Sequence, residues 1–377
     1  MASETDRATF DSSRNSEVRP EELPPVTPPS AGFIVQLFLI PALIVMAVVA
    51  VWALFGKLAD SDNDWKQLAT ELGSSNEHRR WRAAEGLAQL LRNEELSPPK
   101  EGIRLATNPI VVDSLTKLLS ESLASTTSSD ADVTHQEFLA RTLAALDADD
   151  KTLPVLAEAM KDSQNIEVRK SSLMAVASIA GRHFDRLTGY SDAIARRDPV
   201  PLLSERRLPL KSPTISNVAV LEQLRRSAQD PLPVVRHLAG FALANVSGPE
   251  SLAQLKVMLS DGNRLAQANA AIGLGRNSSL DCVPALIQLL KDSMKPFEYQ
   301  PEANSTPEDA QQAEARYQIE ESQIARNCLK AVEELWPQIG TDERTELRSV
   351  IGRMKTEFFS PNVRQQAGEL LTRAESP

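Results

Sequence analysis

Histidine and cysteine side chains are the first candidates for chemistry, because they ligate metals and act as nucleophiles or bases. Two cysteines, Cys282 and Cys328, are too few for a disulfide framework and lack the spacing of a zinc motif. No two histidines are three or four residues apart, the spacing that places two ligands on one helix face. The four are His78, His135, His183 and His237. From these side chains the sequence predicts no catalytic residue, no metal site and no cofactor.

Motifs of the common enzyme classes are also missing from the sequence. There is no Gly-x-Ser-x-Gly, phosphate loop, dinucleotide fingerprint or His-Glu-x-x-His. Gly273 and Gly275 end an apolar helical pattern instead of opening one, so they do not form a phosphate cradle. The formal net charge of −10 provides no basic field for a nucleic acid. We therefore expect neither an enzyme nor a nucleic-acid-binding protein.

A short signature recurs along the chain, with Val-Arg followed by small and apolar residues at helical spacing. It is clearest at Val168-Arg169, Val235-Arg236 and Val363-Arg364. A unit that recurs every few tens of residues is typical of a solenoid, which usually presents a surface to partners. In chain order, the arginine position falls at Arg80, Gln136, Arg169, Arg236, Gln267, about Ala325, and Arg364. The short intervals give the length of one unit, and the long intervals contain insertions.

This pattern resembles HEAT repeats, in particular the short bacterial type related to bilin-lyase HEAT-like repeats, over about residues 64–374. The resemblance implies an all-α solenoid in which each unit is a pair of helices, A and then B. Residues 60–377 alternate apolar helical patterns with short polar breaks, enough for about seven pairs. No convincing strand pattern interrupts them.

The resemblance also assigns structural roles to particular residues. In HEAT repeats of this type, an aspartate at the A–B turn and the arginine on helix B link neighbouring repeats by hydrogen bonds. That role falls to Asp162 with Arg169 and to Asp230 with Arg236, and Arg364 holds the same position in the last unit. We expect these residues to support the fold and not to form a binding site.

A long apolar segment precedes the repeats. Residues 33–55 read FIVQLFLIPALIVMAVVAVWALF and contain no charge. At about 1.5 Å per residue they would span roughly 35 Å, enough for a hydrocarbon core of about 30 Å. The sequence therefore predicts a transmembrane helix over 32–57 and a single-pass membrane protein. Two basic residues lie close to the segment on each side, so the positive-inside rule assigns the solenoid to neither face of the membrane.

Residues 1–31 are rich in proline, serine, threonine and acidic residues. Such a segment cannot bury enough apolar area to offset its ordering entropy, so we predict a disordered tail. Its three arginines against six acidic residues also differ from the basic start of a signal peptide.

Three insertions are predicted between helices of the array. Residues 182–217 carry seven basic and four acidic residues, which gives 7 − 4 = +3. Residues 294–323 carry two basic and seven acidic residues, which gives 2 − 7 = −5. A smaller insertion at about 120–134 is rich in serine and threonine and is also acidic. Long loops in compact domains are commonly functional or disordered.

The basic insertion contains the candidate partner-binding residues. Arg196-Arg197 and Arg206-Arg207 flank the apolar stretch 200–203. Paired guanidinium groups can bind carboxylates of a protein partner or anionic lipid headgroups.

The sequence as a whole predicts a non-enzymatic, membrane-anchored scaffold that presents a repeat surface to one or more proteins. An enzyme subunit resembling bilin lyases is an alternative, because the resembled repeats occur in chromophore-attaching proteins. A structural envelope protein without a specific client is a second alternative.

Overall fold

The computed structural model of this protein describes residues 31–59, 64–97, 104–125, 129–189, 208, 210–299, 301 and 306–375. Within these residues the chain forms α-helices and short 3₁₀ turns, without a strand. The first four pairs are Asp64–Glu71 (α2) with Glu77–Leu96 (α3), Pro109–Leu123 (α4) with Asp130–Leu143 (α5), Asp149–Ala159 (α6) with Ile166–Thr188 (α7), and Val218–Ser227 (α8) with Pro233–Val246 (α9). Three more follow: Gly248–Met258 (α10) with Arg264–Arg276 (α11), Val283–Asp292 (α12) with Pro307–Leu335 (α13), and Thr341–Glu357 (α14) with Pro361–Glu375 (α15). The all-helical repeat fold expected from the sequence is present.

The helices stack in two layers. The second helices of the pairs pack against one another in series, from α3 through α5, α7, α9, α11 and α13 to α15. The first helices also follow one another, with α2 against α4, α4 against α6, α6 against α8, and α12 against α14. We call these the B layer and the A layer. Each helix contacts mainly the other helix of its pair and the helices of the neighbouring pairs, as expected of a solenoid-like array.

Small side chains let the B helices approach closely. Ala83, Ala84, Ala239 and Ala271 are fully buried between layers of leucine, valine and isoleucine. At Gly273 in α11, a Cβ atom would lie only 2.6 Å from the Cβ of Ala244 in α9. Close packing of this kind explains how a chain with only 5% aromatic residues builds one continuous core along the array.

Two of the predicted insertions are shorter than the sequence indicated, because helices occupy their ends. Helix α4 continues to Leu123 and α5 starts at Asp130, so most of 120–134 is helical. Helix α13 starts at Pro307 and takes in more than half of 294–323. Capping boxes begin both later helices, Ser129 with Asp132 and Thr306 with Asp309. A serine or threonine followed three residues later by an acidic residue is a recognisable helix start. Both motifs lie inside ranges that were predicted to be insertions.

The third insertion, 182–217, also begins inside a helix. The sequence placed residues 182–217 between helices, but α7 continues to Thr188. Phe184 and Thr188 are buried, so packing holds these two extra turns. Gly189 ends the helix with a φ of +82°, a left-handed conformation that glycine adopts without strain. Residues 190–207 and 209 lie outside the described residues.

The helix Ala31–Ala59 (α1) belongs to a separate compact unit, Met1–Asp62, whereas the helix pairs form the unit Asn63–Pro377. The predicted disordered tail comprises residues 1–31. Residues 1–30 lie outside the described residues, and Ala31 begins α1. Considering only the residues that the structure describes, no helix has both the length and the apolar character needed to cross a bilayer.

Candidate functional site

The side chain at the arginine position closes the turn between the two helices of a pair. Arg80, Arg236, Gln267 and Arg364 each donate to the backbone carbonyl six residues earlier, at 3.2, 2.8, 2.6 and 2.6 Å. Gln136 donates to the carbonyl of Ser122 at 2.9 Å. These carbonyls lie at or just beyond the end of an A helix and have no intrahelical partner, so the contact satisfies them. Glutamine performs this role as arginine does, which explains two of the three positions that depart from the signature.

Three arginines bridge neighbouring pairs. Arg169 in α7 donates to the carboxylate of Asp230, which lies in the turn of the next pair. Arg236 in α9 binds the carboxylate of Asp261 in the following turn through two nitrogens, at 2.8 and 2.9 Å. Arg264 at the start of α11 binds both carboxylate oxygens of Glu321 in α13, each at 2.7 Å. We call this series the arginine bridges; it links the third pair to the sixth.

The bridges differ in detail from the roles that the resemblance implied. Asp162 does contact Arg169, at 3.0 Å, but within one pair and with 76% of its side chain exposed. Arg236 contacts Asp230 only at the backbone carbonyl, and its carboxylate partner is Asp261. Asp230 and Asp261 therefore each receive the arginine of the preceding pair. Arg364 belongs to the last pair and donates only to the carbonyls of Phe358 and Phe359.

The bridging carboxylates also order the turns in which they lie. Asp230 accepts from the backbone N–H of Leu232 at 2.8 Å, and Asp261 accepts from that of Asn263 at 2.7 Å. The hydrogen bonds from Arg236 lower the pKa of Asp261 below its usual value. The Asp261 carboxylate thus remains charged at neutral pH, as its charge-assisted bonds to Arg236 require.

The predicted partner-binding residues Arg196, Arg197, Arg206 and Arg207 lie outside the described residues. Arg182, counted with the same basic range, belongs to α7 and has a structural role. It donates to the carbonyl oxygens of Ala144 and Leu146, the second at 2.9 Å, beyond the end of α5. Burial lowers its pKa. Part of the positive charge predicted for an insertion is therefore used to join α7 to α5.

A row of exposed side chains crosses the B layer and was not singled out from the sequence. The row is formed by the residue five positions after each arginine position, and from α7 to α13 the arginine bridges hold the B helices in one register. In chain order its members are Glu85, Arg141, Met174, Phe241, Ile272, Lys330 and Glu369. Six are exposed and Ile272 is half-buried. We call them the helix-B row; counting from the repeated signature would have located it.

Three consecutive members of the helix-B row are apolar. Met174 is 40% exposed and Phe241 is 39% exposed, and Ile272 follows on the next helix. Because Met174, Phe241 and Ile272 lie on successive packed helices, they form one patch across α7, α9 and α11. Contiguous exposed apolar side chains rimmed by polar ones are typical of a binding surface.

A groove next to this patch carries positive charge. It has a volume of about 460 Å³ and lies over α3, α5 and α7. Arg92, Arg141 and Arg182 line it against a single acidic residue, Glu95, which gives 3 − 1 = +2. Arg92 and Arg141 are exposed, and Phe138 offers an aromatic ring between them. Apolar patch and basic groove together provide the chemistry of a peptide-binding surface.

Comparison with known proteins finds a family match for one part of the array. Residues 217–297, which contain α8 to α12, match the family model for HEAT repeats. This part of the chain is similar to HEAT repeats. No curated protein matches it.

Several solved repeat structures are similar to this chain at low sequence identity. The designed armadillo repeat protein YIII(Dq.V1)4CPAF, in complex with the peptide (KR)4, is 14% identical, with 84% of this chain and 100% of that chain covered and a TM-score of 0.34. YibA of Escherichia coli is 16% identical, with 85% of this chain and 96% of that chain covered and a TM-score of 0.31. Human deoxyhypusine hydroxylase in complex with glycerol is 16% identical, with 85% of this chain and 98% of that chain covered and a TM-score of 0.25. All three TM-scores are low.

The arginine bridge at Asp230 should contribute strongly to stability. Replacing Asp230 by alanine leaves the 6%-exposed Arg169 side chain without its buried partner, and we expect a loss of about 3 kcal/mol in the free energy of unfolding. The matched control is Asp162→Ala, which removes the exposed carboxylate from the same arginine and should cost about 1 kcal/mol or less. Urea unfolding followed by circular dichroism measures both. Equal losses in the two variants would contradict the assignment.

Proposed function

We propose that this chain is a non-enzymatic scaffold that binds a protein partner along the B layer and is held at a membrane by residues 33–55. The observation that carries the proposal is the helix-B row, in which Met174 and Phe241 expose apolar side chains and the half-buried Ile272 follows at the equivalent position of the next repeat. An isolated exposed apolar residue is ordinary, but repetition at one register position creates a continuous surface.

The spacing of the row suggests the shape of the partner. Packed helices lie about 8–10 Å apart, so successive members of the row should be separated by a similar distance. A polyproline-II segment has three residues per turn and a rise of about 3.1 Å, which places every third side chain on one face about 9 Å apart. An extended segment with an apolar side chain at every third position would therefore match α7, α9 and α11.

The charge of the groove suggests what flanks those apolar side chains. Beyond Met174 the surface continues to Arg141 and Arg92, both exposed. Guanidinium groups bind carboxylates through two parallel hydrogen bonds, so acidic residues at one end of the partner segment would be complementary to them. We therefore infer an extended acidic–apolar protein segment as the occupant, with the acidic end over α3 and α5.

Charge introduced into the apolar patch should remove the partner. In the double variant Met174→Glu with Phe241→Glu, we expect the amount of any protein that co-purifies with the full-length chain from detergent-solubilised membranes to fall at least tenfold. The reason is that buried unpaired carboxylates oppose binding. The matched control is Val257→Glu, which alters a 69%-exposed apolar residue in α10 of the A layer. Quantitative mass spectrometry of the captured proteins gives the readout.

Three outcomes would contradict the scaffold. Equal capture by the B-layer variant and by Val257→Glu would show that the helix-B row is not the site. Failure of any protein to enrich with the wild type would favour a structural envelope protein without a client. Binding of a bilin by the purified chain would favour the enzyme-subunit alternative.

The membrane anchor is proposed from the uncharged run 33–55 together with the exposure of its described side chains, which include Leu43, Val49 and Trp52. Exposed apolar side chains would be stabilised in a hydrocarbon environment. The helical conformation of α1 satisfies the backbone, as a membrane requires.

Removing 33–55 should release the protein from membranes. After alkaline carbonate extraction, we expect the full-length chain and a control lacking 1–30 to stay in the membrane pellet, and the variant lacking 33–55 to move to the supernatant. Immunoblotting of the two fractions is sufficient. Extraction of the full-length chain, or retention of the variant lacking 33–55, would rule out an anchor in this segment.

A further inference from the structure

Three potential metal ligands meet where the first two B helices begin. Glu77 is the first residue of α3, and Asp132 and His135 lie in the first two turns of α5. One oxygen or nitrogen atom from each side chain lies within 4.8 Å of the corresponding atoms of the other two. Glu77 and Asp132 are 55 residues apart in sequence, so spacing between histidines alone does not reveal the cluster.

The imidazole is held in place against the first B helix. His135 stacks on Trp81 of α3, with the ring centroids 3.6 Å apart and the planes 16° from parallel. Its Nδ1 atom is buried without a hydrogen-bond partner. A buried nitrogen without a partner is unusual and calls for a physical explanation.

Both carboxylates are also suited to coordination. Asp132 Oδ2 accepts from the backbone N–H and the hydroxyl of Ser129, each at 2.8 Å, and these bonds lower the pKa of Asp132. The other oxygen, Oδ1, remains available. Glu77 is exposed and can rotate. A cavity of about 580 Å³ lined by Glu77, Trp81 and Asp132 gives an ion and its water ligands access from solvent.

We propose that Glu77, Asp132 and His135 bind one divalent transition-metal ion, with Zn²⁺ the best match. Two carboxylates and one imidazole supply a charge of −2 and a mixed oxygen–nitrogen set, which Zn²⁺ accepts and which Ca²⁺ and Mg²⁺, as oxygen-seeking ions, do not favour. Water completes the coordination. Neighbouring ligand atoms around one Zn²⁺ lie roughly 3.3 Å apart, so the exposed Glu77 side chain would move inward on binding.

Such an ion would join the first two pairs where the described residues provide no other polar link between their B helices. The arginine bridges link the third pair to the sixth, and no described ion pair joins α3 to α5. A metal bound across these two helices would thus stabilise the start of the array, and its binding energy would add to the stability of the folded state.

Zinc titration of the full-length chain, purified in mild detergent and stripped with a chelator, tests the proposal. We expect one Zn²⁺ per chain, measured by competition with a chromophoric chelator, and a rise in the unfolding temperature when Zn²⁺ is added. Glu77→Gln and His135→Gln should each weaken binding at least tenfold and abolish the rise. Glu85→Gln and His78→Gln, which change a nearby carboxylate and the neighbouring histidine outside the cluster, should leave both unchanged.

Circular dichroism without metal verifies that each variant is folded, and Glu77→Gln alone decides the test if His135→Gln unfolds the first pairs, because Glu77 is exposed. Absence of Zn²⁺ binding by the wild type would overturn the proposal. So would wild-type affinity in Glu77→Gln, or loss of binding in His78→Gln, which would indicate adventitious binding by a surface histidine. None of these results depends on the proposed scaffold function.

Discussion

A guanidinium group buried near the start of a helix B must find an acceptor, because an uncompensated buried charge costs several kcal/mol. In this chain the acceptors lie in the turn of the next pair: Asp230 for Arg169 and Asp261 for Arg236. The same carboxylates order their own turns through backbone N–H groups. In the fourth and fifth pairs, one interaction therefore fixes both the turn within the pair and the position of that pair relative to the one before it.

The proposed binding surface depends on that register. Met174 and Phe241 belong to different repeats, yet they lie at the same position after Arg169 and Arg236, so the bridges that align the arginines also align the exposed side chains. A rigid array pre-organises such a row and lowers the entropic cost of binding an extended partner. An anchor at residues 33–55 would add a further effect, since confinement to a membrane raises the local concentration of scaffold and partner.

Much of the fold follows from local patterns in the sequence, whereas the candidate sites depend on contacts between distant residues. The Val-Arg signature and the apolar periodicity predicted the helix pairs, since these are properties of a single unit. The insertions were overestimated because the capping boxes at Ser129 and Thr306 were read as loop. The resemblance assigned Asp230 as the partner of Arg236, whereas the carboxylate that binds it is Asp261, because both are turn aspartates and only tertiary packing distinguishes them. The cluster around His135 needed two helices brought together.

The most direct test of this account is a double-mutant cycle on Arg236 and Asp261. The free energy of unfolding would be measured for the wild type, Arg236→Met, Asp261→Asn and the double variant. If the guanidinium and carboxylate hold neighbouring repeats together, the two single losses overlap and the coupling free energy is about 1–3 kcal/mol. If the single losses add to within about 0.5 kcal/mol, the two side chains act independently, and the arginine bridges do not hold the array in register.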